Sequence, residues 1–176
     1  MATTYIQIGS TVTVGAGGAA NISFTSIPGT YTDLVLVGSL RDTRGDAAWT
    51  DGSLSINGTP SGSAYSFRYL LGDGGAAYSG APSGQSSITA WLENSALSTA
   101  NTFNNVQFYF PNYANTSYNK SISIDSAGEA NTTTAYSSFV AGLWSSTAAI
   151  SSLYLTPGVG NWAQYSTASL YGISKS

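Results

Sequence analysis

Apolar and polar residues alternate with a period of two along almost the whole chain, and stretches repeating at i, i+3, i+4 and i+7 are hard to find. A strand turns successive side chains to opposite faces, whereas a helix returns to one face after three or four residues, so the pattern predicts an all-β protein. In "VQFYF", Val106, Phe108 and Phe110 share one face, with Gln107 and Tyr109 on the other, wetter one. In "DLVLVGSL", Leu34, Leu36, Gly38 and Leu40 share a face while Val35 and Val37 take the opposite one. Apolar residues on both faces predict a central strand, covered on both sides near its start. Leu170 opposed to Tyr171 and Ile173 marks a last strand so near the C-terminus that the final residues are expected to close the fold.

Strands are predicted over 4–14, 20–27, 32–41, 53–57, 65–72, 86–93, 103–110, 119–125, 134–144, 150–156 and 166–174. Between them lie "GAGGA" (15–19), "IPGTY" (27–31), "NGTPSGS" (57–63), "GDGGAAYSGAPSG" (72–84), "PNYANTS" (111–117) and "TPGVGN" (156–161), clusters of residues that preset a turn or reach positive φ. Asn57-Gly58 reads as a turn rather than as a glycosylation acceptor. About eleven short strands, no internal repeat and no linker predict a single-domain antiparallel β-sandwich, jelly-roll-like or of a related Greek-key kind.

Composition changes this picture chiefly by exclusion. Hydrophobic residues make up 42% and aromatic residues 12% of the 176, which argues against disorder, yet charged residues are only 7% where about 25% is ordinary. The solvent-facing positions are therefore Ser, Thr, Asn, Gly and Ala. The chain has no Cys, so disulfides, thiolate metal sites and cysteine nucleophiles are absent; it has no His, so the commonest general base and any Ser-His-Asp arrangement are absent too. A net charge of −3 with only Arg41, Arg44, Arg68, Lys120 and Lys175 as cations supplies no phosphate-neutralising stripe, and no nucleic-acid partner is expected. "MATTYIQIGS" lacks the charged and apolar regions of a secretion signal, and no run reaches the ~18 apolar residues of a membrane span, so no membrane partner is expected either.

The scarce charges cluster in "RDTRGDAAWTDG" (41–52). Asp42, Asp46 and Asp51 could suggest a calcium loop, but the calcium-loop spacing and the distal Glu are missing and two arginines would repel a cation, so no metal is expected. Arg44-Gly45-Asp46 matches an integrin-recognition tripeptide, a match too short to carry weight. The plainest reading is a solvated loop in which Arg and Asp neutralise one another. Trp49 fits that reading poorly: it is either an anchor for a partner or a side chain folded back onto the sandwich.

The four tryptophans could also stack on sugar rings. Trp91 and Trp144 sit inside predicted strands and should pack, whereas Trp49 and Trp162 fall in loops and could be displayed. The candidate interface or ligand contacts are thus Arg41, Arg44, Asp46, Trp49, Asp51 and Trp162. For two-carboxylate glycoside hydrolysis the nearest pair is Asp125 and Glu129, at an uninformative spacing, and Asp33, Asp73 and Glu93 read as strand-end or turn residues. No catalytic residue, cofactor or enzymatic activity is expected.

A resemblance is carried by "ANISFTSIPGTYTDLVLVGSLR" (20–41), through Phe24, Ile27-Pro28, Tyr31, Asp33-Leu34 and Val35 to Val37. Matches of the same kind are "SINGTPSGSAYSFRYLLGDG" (55–74), "FNNVQFYFPNYANTSYNKSISIDS" (103–126), "AGLWSSTAAISSLYLTPGVGNW" (141–162) and "ASLYGISKS" (168–176). In these the chain resembles small β-rich surface proteins of tailed-bacteriophage virions, the capsid decoration proteins and tail-fibre end domains. The resemblance implies a non-enzymatic part of the virion surface, assembled in the bacterial host cytoplasm. Its implied partners are the major capsid protein or other virion proteins, further copies of itself in a homo-oligomer, and a possible glycan. Because Met1 leads almost at once into the first strand, with no stalk segment, a multi-copy capsid decoration protein is the first expectation and a glycan-recognising fibre module the second.

Overall fold

Strand follows strand with turns between, and the order in which they pair defines the architecture. The computed structural model describes residues 4–58, 60–131 and 135–174. Met1, Lys175, the last residue of "ASLYGISKS" and the first residue of the strand expected over 134–144 lie outside them. The strands are β1 (Thr4–Thr13), β2 (Ile22–Phe24), β3 (Asp33–Leu40), β4 (Trp49–Ile56), β5 (Tyr65–Gly72) and β6 (Ala77–Gly80). They continue with β7 (Ile88–Asn94), β8 (Asn104–Phe110), β9 (Lys120–Gly128), β10 (Tyr136–Trp144), β11 (Leu153–Thr156) and β12 (Thr167–Ser174).

Two antiparallel sheets form, in the orders β1-β12-β3-β8-β9-β10-β5-β6 and β2-β11-β4-β7. Four nested antiparallel pairs, β1 with β12, β2 with β11, β3 with β8 and β4 with β7, are what results when a doubled-back ribbon is wound around a core. That winding is a jelly roll. β9 and β10 are inserted between β8 and β11 in sequence, β5 and β6 between β4 and β7, and all four extend the larger sheet on one side.

The alternation forecast for individual strands holds. Leu34, Leu36, Leu40, Val106, Phe108 and Phe110 are fully buried, and Val35 is buried on the other face. One hydrophobic core runs between the sheets and includes Trp91 and Trp144, as their strand positions predict. Gly52 is part of it for a steric reason: a Cβ there would stand 2.1 Å from the Trp91 ring, which lies across the β4 backbone. The β4 and β7 registers shift between Gly52 and Leu54, so the strands are bulged where that ring crosses.

β2 and β11 are shorter than the strands expected over 20–27 and 150–156, and three further elements differ from the sequence expectation. β4 begins at Trp49 rather than at 53, although Asp51 and Gly52 are poor strand formers, because its early residues pair with β7. β6 lies within the stretch read as a turn; it is an edge strand of four residues with none buried, so no alternation marks it. β9 continues three residues past 125, with Ser126 and Ala127 paired by both β8 and β10 and Gly128 by β10.

Eight strands cannot be covered by four. β7, the last strand of the smaller sheet, packs over β8, β9, β10 and β5, and the inner face of the larger sheet beyond it is left open.

Candidate functional site

The open inner face forms a cleft of about 510 Å³ between the overhang of β5, β6 and β10 and the edge of the smaller sheet. Five aromatic side chains line it, the buried Phe67 and the more exposed Trp49, Tyr69, Tyr78 and Tyr136, each held by the strands beneath. Trp49, the first residue of β4, and Tyr136, the first of β10, bring their rings to 5.1 Å at 59°. Tyr69 on β5 stands opposite Gly80 on β6, where a Cβ would come within 2.4 Å of its ring. The missing side chain lets that ring lie down on the neighbouring strand. Tyr78 on β6 is oriented from its hydroxyl, which donates to Asp73 Oδ2 at 3.2 Å. Asp73 Oδ1 accepts from the amides of Gly75 and Ala76 at 2.9 and 2.6 Å. These backbone donors hold the Asp73 carboxyl below the usual carboxylate range, and the bond to that carboxylate raises the Tyr78 phenol.

Polar groups converge on the same space from Asp51, Gln85 and Thr89. Asp51 is open to solvent at one side, yet the protein packed around its carboxyl pushes its pKa upward against the pull of Arg44. Ala90, also on the cleft wall, holds φ at +66°, a left-handed backbone rare for a residue with a side chain. Such strain beside a bulge is characteristic of ligand-binding positions.

The six residues singled out in the sequence do not form one site. Trp49 and Asp51 line the cleft; of the two readings open for Trp49, it folds onto the sandwich and remains half-exposed there. Trp162 corrects the expectation of a displayed loop aromatic. It is completely buried, with Nε1 donating to the Leu155 carbonyl at 3.0 Å and its ring stacked on Trp91.

Arg41 turns its guanidinium onto four carbonyls: Nη1 donates to Thr99 and Thr102 at 2.8 and 3.0 Å, and Nη2 to Ala96 and Ser98 at 3.2 and 3.0 Å. It organises the 95–102 loop instead of facing a ligand. Arg41→Ala is expected to lower stability by about 1.5 kcal/mol and to make that loop the first site of limited proteolysis; an unchanged digestion pattern would refute this role.

Arg44 pairs with Asp46 through Nε–Oδ1 at 2.6 Å, and its Nη1 donates to the Trp49 carbonyl at 3.3 Å and to Thr50 Oγ1 at 3.4 Å. The loop thus carries the neutralising Arg–Asp pair, and the same arginine steadies the backbone of Trp49. Asp42, Asp46 and Asp51 point to three different environments, and among the described residues no group of three acidic side chains is placed to hold a metal ion.

Two carboxyls are more buried than the sequence suggested. Asp42 and Glu93 have almost no exposed surface, and among the described residues Asp42 Oδ2 and Glu93 Oε2 have no hydrogen-bond partner. Desolvation pushes Asp42 up to about 6, with the Arg44 amide and both arginines pulling the other way. Glu93 is raised well above the ordinary carboxylate range, by its own burial and then by the charge of Asp42. Glu93 is at the end of its strand, as expected, and is also buried there. Asp125 is exposed on β9, and Glu129 accepts from the Asn131 amide at 2.6 Å beyond the strand's end.

The cleft residues missed in the sequence are Tyr69, Tyr78, Tyr136, Gln85 and Thr89. One signal was legible: Tyr65, Phe67, Tyr69 and Leu71 share a face of "YSFRYLLG", an aromatic stripe that runs out past the core. No family model, no curated protein and no solved structure matches this chain.

Proposed function

We propose that this chain is a non-enzymatic module of the exterior of a tailed-phage virion and that it attaches to a saccharide through the cleft bordered by Trp49, Tyr69, Tyr78 and Tyr136. The observation that carries the binding role is this convergence of Trp49, Tyr69, Tyr78 and Tyr136, above the buried Phe67, with Asp51, Gln85 and Thr89 around about 510 Å³. The cleft falls in the size range of small-ligand sites, largely apolar with a few placed polar groups. The apolar face of a pyranose ring suits an indole or phenol ring, while its hydroxyls need the acceptors and donors of Asp51, Gln85 and Thr89. Asp51 is the one carboxylate among the described residues lining the cleft, whereas glycoside hydrolysis uses two. Placement on a virion rests on the resemblance, whose residues Phe24, Ile27, Tyr31 and Asp33 build the end of the roll near β2 and β3. Asp33, for instance, accepts from the Tyr109 hydroxyl and the Asn112 amide, both at 2.8 Å.

The test is a microarray of bacterial surface polysaccharides probed with the parent, Trp49→Ala and Tyr69→Ala. The parent is expected to bind a subset of neutral glycans, and each variant to bind at least about tenfold more weakly, equivalent to ~1.4 kcal/mol, with its melting transition retained. Equal binding by both variants, or no binding by the parent to any glycan, would overturn the saccharide reading.

Capsid decoration by multi-copy association is the second reading. It is favoured by the outer face of the larger sheet, where hydroxyl and apolar side chains predominate around Leu70 and Phe139. Immunogold labelling of purified particles separates the two: dense label over the head supports decoration, and label confined to the tail tip supports adhesion.

A further inference from the structure

We propose that the outer face of β5, β10 and β9 is a two-fold symmetric contact between two copies of this chain. The register across the sheet places Leu70, Phe139 and Asp125 side by side on three adjacent strands, and Arg68, Ala141 and Ser123 in the next row on the same face. Their neighbours Phe67, Ile124 and Val140 point into the core, so the whole set points out. Leu70 is 65% and Phe139 47% exposed, an apolar cross-strand pair with no cover, and Leu143 extends it along β10.

Two charges flank this patch, and among the described residues neither has an opposite-charge partner. Arg68 donates from Nη1 to the carbonyl of its neighbour Phe67 at 3.0 Å and meets no carboxylate, while Asp125 makes no hydrogen bond or ion pair among the described residues. In a chain with only 7% charged residues, one cation and one anion set diagonally across an exposed apolar pair form a self-complementary pattern. A two-fold axis lying between two such faces, along the perpendicular bisector of the Arg68–Asp125 line, sets each Arg68 over the other copy's Asp125. It also brings the two Leu70–Phe139 pairs together near the axis. That reciprocity is the requirement of an isologous dimer, and it is the reason the occupant is a second copy.

Three strands about 4.8 Å apart and about eight residues long at ~3.3 Å each present roughly 380 Å² per partner, less than half of the ~800 Å² of a standard stable contact, so the dimer is of the weak, concentration-dependent kind. The saccharide cleft opens on the inner side of the sheet, so a dimer would carry two clefts and bind a polymer bivalently. The dimer does not depend on the saccharide reading, which would stand if the protein proved monomeric.

Sedimentation velocity of the full chain tests it over a wide concentration range. The parent is expected to reach twice its monomer mass of 18.1 kDa. Arg68→Asp and Asp125→Arg, each of which juxtaposes like charges, should weaken the dimer at least about tenfold with unchanged melting, and the double swap Arg68→Asp with Asp125→Arg should restore it. A parent that stays monomeric throughout, or a dimer whose dissociation constant moves in neither single variant, overturns the proposal. So does a double swap as weak as the singles.

Discussion

Trp162→Ala is expected to destabilise the fold by about 4 kcal/mol, the range for truncating a buried tryptophan, while Trp49→Ala leaves stability nearly unchanged. Sequence context treats these two residues alike, as tryptophans in loops. The Trp162 ring is closed in completely, stacking on Trp91 at 6.3 Å and 23°, and Trp91 in turn meets Phe108 edge-on at 5.1 Å. Its indole N–H is satisfied by Leu155, and its backbone exchanges bonds with Ala19 at 2.7 and 3.1 Å. Truncation would open a cavity at the centre of the aromatic cluster and leave the Leu155 carbonyl without that donor. It would also loosen the junction between the 15–19 turn and the 157–163 loop. Urea denaturation of the two single variants measures the contrast. A Trp162→Ala midpoint within error of the parent's would show that the cluster contributes little.

The second large effect is an inverted pH dependence. Most proteins lose stability on acidification because their carboxyls are paired in the folded state; here three of the eight acidic residues, Asp42, Asp51 and Glu93, are raised by burial. Asp42 moves from 3.8 to about 6, so between those values the folded chain holds a proton that the unfolded chain has released. Stability must then fall as pH rises through that window. A shift of about two units corresponds to roughly 3 kcal/mol, nearer 2 kcal/mol once partial access of solvent around the carboxyl is allowed for. Glu93, raised by its own burial, acts in the same direction. Asp46 and Asp73, lowered by Arg44 and by backbone amides, work oppositely but on the exposed surface and only at more acidic pH.

The protein should therefore melt higher at pH 5 than at pH 8. Glu93→Gln should raise the melting temperature at pH 8 and flatten the profile, since a neutral amide needs no desolvated charge. Calorimetric scans across pH 4 to 9 decide it. A melting temperature that climbs from pH 5 to pH 8 in the parent would refute the assignment.

Much of the architecture was legible because a strand records its own geometry in a few residues. Val106, Phe108 and Phe110 announce their inward face without reference to any other part of the chain. β6 was not legible: at the sheet's edge with neither face buried, "AYSG" has nothing to alternate. Nor were the first residues of β4, where Asp51 and Gly52 disguise a strand whose glycine is required by the Trp91 ring. The candidate site was half legible. Trp49 and Asp51 came from the charged loop, but Tyr69, Tyr78 and Tyr136 belong to three strands brought together only by pairing.

The sequence by itself determined that this is an antiparallel β protein with a charge-poor surface, and that histidine and cysteine chemistry is closed to it. Those properties are written in composition and in the period of two, which the backbone of each strand enforces locally. The tertiary structure alone decided that eight strands overhang four, that Trp49 faces a cleft while Trp162 is sealed in the core, and that Asp42 and Glu93 are buried. Each of these depends on segments far apart in the chain. Trp162 is enclosed by residues near 19, 91 and 155, and no local pattern can report what a distant strand will cover.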